Sequence, residues 1–256
     1  MLEAAFLTSA IVAFLCVCGL PLGALVVLPE GQQRSGSIGG TVWSHNRSGV
    51  YIRNRSIPVN PNTDRQSAVR NAVRAISIAW ETILTQVQRD AWDVYAANVT
   101  WQNRLGQSIN LTGLNHFIRC NTPRVMNAIA RVDAAPVIFD LAAADTELTA
   151  SAEELTQLIT VNGDLLHPWI GEANAWYFIS MGIPQNASRR YFGGPWRQLA
   201  AIPGAGPPPF PALLATAFPF AEGNRIWVRS RVARGDGRLS EFAQVNFLAD
   251  PGAPVA

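Results

Sequence analysis

Lysine is missing altogether: all 20 basic residues of this 256-residue chain are Arg. Schiff-base chemistry, which needs a Lys amine, is therefore excluded. The three Cys (Cys16, Cys18 and Cys120) are too few for a disulfide framework or a complete structural zinc site. His is equally scarce. His45, His116 and His167 each lack a His or Glu partner three or four residues away, so no helix-borne metal site is spelled out. There is no Gly-x-Ser-x-Gly elbow. Gly36 to Gly40 has no Lys and no helix directly after it, so it is not a phosphate-binding loop. Charged residues are only 15% against 48% hydrophobic, which excludes a disordered polar chain. A single apolar run, near the start, excludes a polytopic membrane protein. The expectation is a non-enzymatic chain with no catalytic residues, no cofactor and no metal. Asp140, Asp145, Glu147, Glu153 and Glu154 are the one set of carboxylates that could pair for glycosidase-type chemistry. On the edges of a sheet such residues usually just solvate.

What charge there is falls unevenly. Residues 31–135 hold twelve Arg against five acids, and residues 136–256 hold eight Arg against eleven acids. That asymmetry implies two units with different surfaces. Ahead of both lies Ala4 to Leu28, uncharged and long enough to cross a bilayer as a helix, though Gly19, Pro21 and Gly23 interrupt it. Three readings of residues 1–35 stay open. They are a membrane anchor or uncleaved signal, a segment packed in the core or on a partner, or a start placed too early, with Val26 or Val27 as later starts.

Residues 36–132 read as an Arg-rich hairpin followed by helices. Gly36 to Gly40 is a flexible lead-in. Thr41 to His45 and Val50 to Arg55 are β-formers around the turn residues Asn46 to Gly49. Pro58 to Pro61 ends the hairpin. Thr63 or Asp64 can cap a helix whose apolar stripe is Val69, Val73, Ile76, Trp80 and Ile83. Thr85 with Gln88 has capping-box spacing and starts a second helix, with Val87, Ala91, Trp92, Tyr95 and Val99 on its inner face. Leu105 to Asn110 is a loop or short strand. A third short helix starts at Thr112, with Leu114, Phe117 and Ile118 inward. Trp80, Trp92 and Tyr95 could stack nucleobases beside a basic surface, but their place on apolar stripes makes them core filling. The Arg excess reads as a solvated face, with a phosphate-binding surface or an acidic protein partner as the functional alternatives.

The string from Trp80 to Ala96 (Trp, a short gap, Leu-Thr, then Gln-Arg, Ala-Trp and Tyr-Ala) resembles a pattern in uncharacterised phage and prophage-type proteins. Asn103 to Gly106, Leu111 to Phe117 and Pro58 to Thr63 resemble it too. The resemblance spans about residues 40–130 and supplies no catalytic residues. It implies a virion or mobile-element setting.

From Pro136 the period changes to two. Seven strands are expected: Pro136 to Asp140, Leu155 to Val161, Ala175 to Met181, Trp196 to Ile202, Ala212 to Phe218, Arg225 to Val232 and Phe242 to Leu248. In the sixth, Ile226, Val228, Ser230 and Val232 alternate with Trp227, Arg229 and Arg231. Seven short strands suggest a Greek-key β-sandwich over 136–250, with 251–256 as a tail. Glu222 to Val232 followed by Asp236 to Ser240 resembles the last two strands of fibronectin type III domains. The usual Tyr of the penultimate strand is absent, with Ile226 or Trp227 near its place. The resemblance implies a spacer or a protein- or glycan-binding module. Arg234-Gly-Asp236 resembles the integrin-binding tripeptide, but a turn built on Asp-Gly explains it. Five Asn-x-Ser/Thr sequons (Asn46, Asn54, Asn98, Asn110, Asn186) matter only in a eukaryotic secretory route.

The fold class expected is thus α+β: hairpin, helices, then a fibronectin type III-like sandwich. The function expected is a structural or attachment component of a phage or prophage-derived particle, partnered by virion proteins or further copies of itself. In it the helical module docks to the assembly and the sandwich faces outward. Two alternatives stand beside it. One is an envelope binding protein anchored in a membrane through residues 4–28. The other is a nucleic-acid-binding protein using the Arg-rich module.

Overall fold

The computed structural model describes residues 23–26, 35–46, 49–56, 60–102, 107–206 and 209–252. The chain is α+β and divides into two compact units, one of residues 1–60 and 102–107, the other of residues 61–101 and 108–256. The helices therefore share a compact unit with the C-terminal strands.

Unit 1 is an antiparallel sheet of β1 (Gly23–Val26), β2 (Gly36–Ile38), β3 (Thr41–Asn46) and β4 (Gly49–Asn54), in the order β1-β4-β3-β2. The expected hairpin is β3–β4, with Asn46 opposite Gly49. Two expectations change. The Gly36 to Gly40 lead-in forms edge strand β2, because Gly39, at φ +59°, reverses the chain onto β3. The end of the apolar run is not helical: Gly23–Val26 pairs with β4, Gly23 opposite Arg53. Residues 1–22 lie outside the described residues, as do 47–48, 57–59 and 103–106. Among the described residues no helix is long and apolar enough to cross a membrane.

Unit 2 opens with α1 (Asp64–Thr82) and α2 (Gln86–Asn98), each started by a full capping box, Thr63 with Gln66 and Thr85 with Gln88. Next come β5 (Thr100–Gln102) and β6 (Ser108–Asn110), which pair as a two-stranded sheet. Helix α3 (Gly113–Met126) is capped by Thr112 and is longer than the short helix expected. Gly113 is required there. A Cβ would lie 2.4 Å from Asp93 Oδ1 and 2.8 Å from the Trp92 carbonyl carbon, so only glycine lets α3 start against α2.

The remaining strands are β7 (Thr149–Glu153), β8 (Leu158–Asn162), β9 (Trp176–Gly182), β10 (Trp196–Pro203), β11 (Ala212–Ala215), β12 (Arg225–Ala233) and β13 (Ala243–Leu248). They form a four-stranded sheet β10-β9-β12-β13 and a three-stranded sheet β11-β8-β7. Six of the seven expected strands are present with shifted ends. The exception is Pro136 to Asp140, which is irregular. Its Val137, Ile138 and Phe139 side chains are exposed, while the Asp140 carbonyl accepts the Tyr95 hydroxyl at 3.0 Å. Strand β7 takes the vacant place. Its sequence, Thr-Ala-Ser-Ala-Glu, is poor in β-formers, and pairing with β8 plus burial of Ala152 override that propensity.

The two sheets enclose one core, built on Ile159, Val161, Trp169, Tyr177, Ile179, Met181, Ile226, Val228 and Val232. A second core joins the helices to the four-stranded sheet. Ile76, Trp92, Tyr95, Phe117 and Cys120 pack with Phe178, Ala233 and Leu239. Unit 2 is therefore three layers: helices, four strands, three strands. Strand β12 is covered on both faces, not solvated on one. Arg side chains fasten the helices down. Arg124, fully buried, donates to Asn174 Oδ1 (3.1 Å), Asn174 O (2.8 Å) and Arg234 O (2.8 Å). Arg119 donates to the Leu239 and Ser240 carbonyls, both at 2.9 Å.

Candidate functional site

A cleft of about 310 Å³ opens where the helices leave the four-stranded sheet incompletely covered. Four guanidinium groups line it: Arg65 from the first turn of α1, Arg119 from α3, and Arg229 and Arg231 from β12. Residues two apart on a strand share a face, which puts Arg229 and Arg231 side by side. Among the described residues no Asp or Glu lines the cleft. Among the described residues of unit 2 the ion pairs are Arg131–Asp133, Arg234–Glu172, Arg238–Asp140 and Arg238–Asp236, and none reaches Arg65, Arg229 or Arg231.

Aromatic rings hold the two strand arginines in place. The Arg229 guanidinium lies 4.4 Å from the Trp196 ring centre and 3.9 Å from that of Phe242, and Arg231 lies 4.0 Å from Phe242. Stacking fixes the guanidinium planes and leaves their N–H edges free to donate. Arg231 Nε donates to Ser240 O at 3.2 Å and Arg65 to Trp196 O at 3.3 Å. Arg229 Nε is buried with no hydrogen-bond partner among the described residues. Removal from water, and then mutual repulsion, weaken these cations. Arg229 is pushed down to about 10 by burial and by Arg65. Arg231 is pushed down to about 9 by burial and by Arg119. Both stay cationic at neutral pH. An anion in the cleft would satisfy donors and relieve repulsion together.

A second surface is apolar. Ile78, Ile83, Val87 and Val94, on and between α1 and α2, are 47%, 58%, 77% and 51% exposed. Val87 and Val94 lie seven residues apart on one face of α2, away from the buried Trp92, Tyr95 and Ala96, so Val87, expected on the inner face, and Ile83, expected on the α1 stripe, are instead turned to water.

The other residues singled out in the sequence are occupied structurally. Trp92 and Tyr95 are fully buried, with Trp92 Nε1 donating to Asp133 O at 3.0 Å, and Trp80 packs 5.5 Å from Phe117. Cys120 is buried, and burial pushes its thiol up. His116 is buried edge-on to Tyr95. Burial, then the nearby Arg119, lowers it to about 4. His167 is also buried, and His45 is exposed on β3. The carboxylates do not gather. Asp140 pairs with Arg238, Asp145 accepts the Tyr177 hydroxyl at 2.8 Å, Glu153 accepts from Thr156 and Glu154 from the Glu222 backbone. Among the described residues no three His, Cys, Asp or Glu could hold a metal ion. In Arg234-Gly-Asp236, Arg234 is paired with Glu172 and Asp236 with Arg238, so the tripeptide is tied into its turn.

The sequence did not single out the cleft. Its one signal was the polar face of β12, where two Arg follow Trp227. A large aromatic in that register points to a covered face. Compared with protein-family models, curated proteins and solved structures, the chain matches none.

Proposed function

We propose that this chain is a non-enzymatic structural or attachment component of a phage or prophage-derived particle. The exposed apolar face of the α1–α2 hairpin carries the reading. The inner faces of these helices are committed to their own core, yet Ile78, Ile83, Val87 and Val94 remain open to water. Such a patch fits a protein partner. It lies on the module whose Trp80 to Ala96 string resembles phage-type proteins. In this reading the hairpin docks to neighbouring particle proteins and the strands are presented outward.

The strand order supports a finer reading as well. Seven strands in the orders β11-β8-β7 and β10-β9-β12-β13, facing across one core, fit a fibronectin type III-like Greek-key sandwich. Burial of Cys120, His116 and His167 supports a binding role over a catalytic one. Mass spectrometry of purified particles from the source tests the proposal. The chain should be present, and Val87→Asp with Val94→Asp should remove it from particles without unfolding it. Absence from particles, with recovery in the membrane fraction, would replace this reading with the anchored envelope protein.

A further inference from the structure

We propose that the arginine cleft of unit 2 binds a small phosphate-type oxyanion, either a diphosphate or a phosphomonoester. This goes beyond the particle role and stands without it. Four observations converge on it. Arg65, Arg119, Arg229 and Arg231 face one concavity from three elements, and among the described residues no carboxylate lines it. Among the described residues Arg65, Arg229 and Arg231 take part in no ion pair, and of the carboxylates only the charge of Glu241 bears on Arg231. Partly buried cations of this kind are normally paired. Among the described residues Arg229 Nε is buried without an acceptor. Finally, Phe242 and Trp196 brace the strand guanidiniums, so little side-chain entropy remains to be lost on binding.

The chemistry selects the ligand. Several guanidinium forks need more acceptor oxygens than a carboxylate's two, and a phosphoryl group offers three on one centre. A doubly charged group also answers several adjacent cations better than a single charge does. The volume of about 310 Å³ exceeds one inorganic phosphate and leaves room for a second phosphoryl group or a small organic part. Phe178, Met126 and Pro123 give that part an apolar wall, and Ser180, Thr122 and Gln198 give it neutral polar groups. A short cleft of this size suits a small molecule better than a nucleic-acid backbone, which needs a continuous basic track.

Isothermal titration of the full-length chain with pyrophosphate at low salt is the test, with inorganic phosphate, a phosphomonoester (glycerol phosphate) and oligodeoxythymidine as comparison arms. One pyrophosphate should bind per chain, and weaken as salt rises. Glycerol phosphate tighter than inorganic phosphate would assign the second part of the volume to an organic group; the reverse order, with pyrophosphate tightest, would assign it to a second phosphoryl group. Arg229→Gln and Arg231→Gln should each weaken binding roughly tenfold or more, with circular dichroism unchanged. Phe242→Leu keeps every charge but frees both guanidiniums, and should weaken binding by a smaller factor. Arg190→Gln, on an exposed loop, should leave it unchanged. Absence of pyrophosphate binding by the folded chain would overturn the proposal. So would equal losses in the Arg190 and Arg229 variants, or oligodeoxythymidine binding more tightly than pyrophosphate.

Discussion

The two faces of the four-stranded sheet solve the same burial problem differently. On the face toward β11-β8-β7, Ile226, Val228 and Val232 meet Ile159, Val161 and Trp169 in an apolar core. On the face toward the helices, Phe178, Ala233 and Leu239 are buried under Phe117 and Ile76, but Arg229 and Arg231 are only partly covered. A sheet can close flat on another sheet. Three helices cannot tile a twisted sheet as evenly, so the second face keeps a gap. The gap is where four arginines from three elements meet. One face therefore provides stability and the other provides stability plus chemistry.

The largest test of this comparison is Trp92→Ala. It removes a fully buried ring and its bond to Asp133 O, and should destabilise unit 2 by about 3–5 kcal/mol in urea unfolding. Ile179→Ala, on the apolar face, should cost about 2–5 kcal/mol. Both should move one cooperative transition. Two separate transitions would mean that the helices and strands fold independently, and the contrast between the faces would lose its basis.

Arg124→Ala comes next. It deletes three hydrogen bonds from a buried cation that holds α3 to the loops at Asn174 and Arg234, and should cost about 2–4 kcal/mol. The same substitution at exposed Arg190 should be silent.

Titration separates the faces further. His116, on the helix side, is held neutral by burial. Its folded value lies below its unfolded one, so its contribution is complete above pH 6.5. It is lost as pH falls from about 6.5 towards 4, by up to about 3 kcal/mol. Unfolding free energy measured between pH 7 and 4 should decline over that window in the native chain, and less steeply in His116→Phe. An equal slope in both would remove His116 from the account. The smallest effect expected is Val87→Asp, within about 0.5 kcal/mol of native stability because the side chain faces water. Its readout is particle incorporation, not folding.

The helices were legible because their signals are local. Thr63 or Asp64, Thr85 with Gln88, and Thr112 announce three starts within a few residues each. The β3–β4 hairpin and six of the seven C-terminal strands were legible through alternation and turn residues. Val137, Ile138 and Phe139 misled because β-propensity acts only when a neighbouring strand is free to pair. Thr149 to Glu153 was hidden because pairing with β8 created the strand without help from propensity. The candidate site was less legible still. Arg229 and Arg231 read only as the residues that alternate with Val228, Ser230 and Val232 along their strand, and Arg65 counted in the Arg excess of residues 31–135. Nothing local marks a face as covered by helices more than a hundred residues away in sequence.

Periodicity, caps and composition thus set the α+β class, the helix starts, most strands and the exclusion of Lys-dependent chemistry, since each depends on neighbours along the chain. Tertiary packing alone decided that the helices cap the sheet, that β12 is covered on both sides, and that four arginines from three elements share one cleft. Charges become a site only when distant segments bring them within a few ångströms of each other and shield them from water.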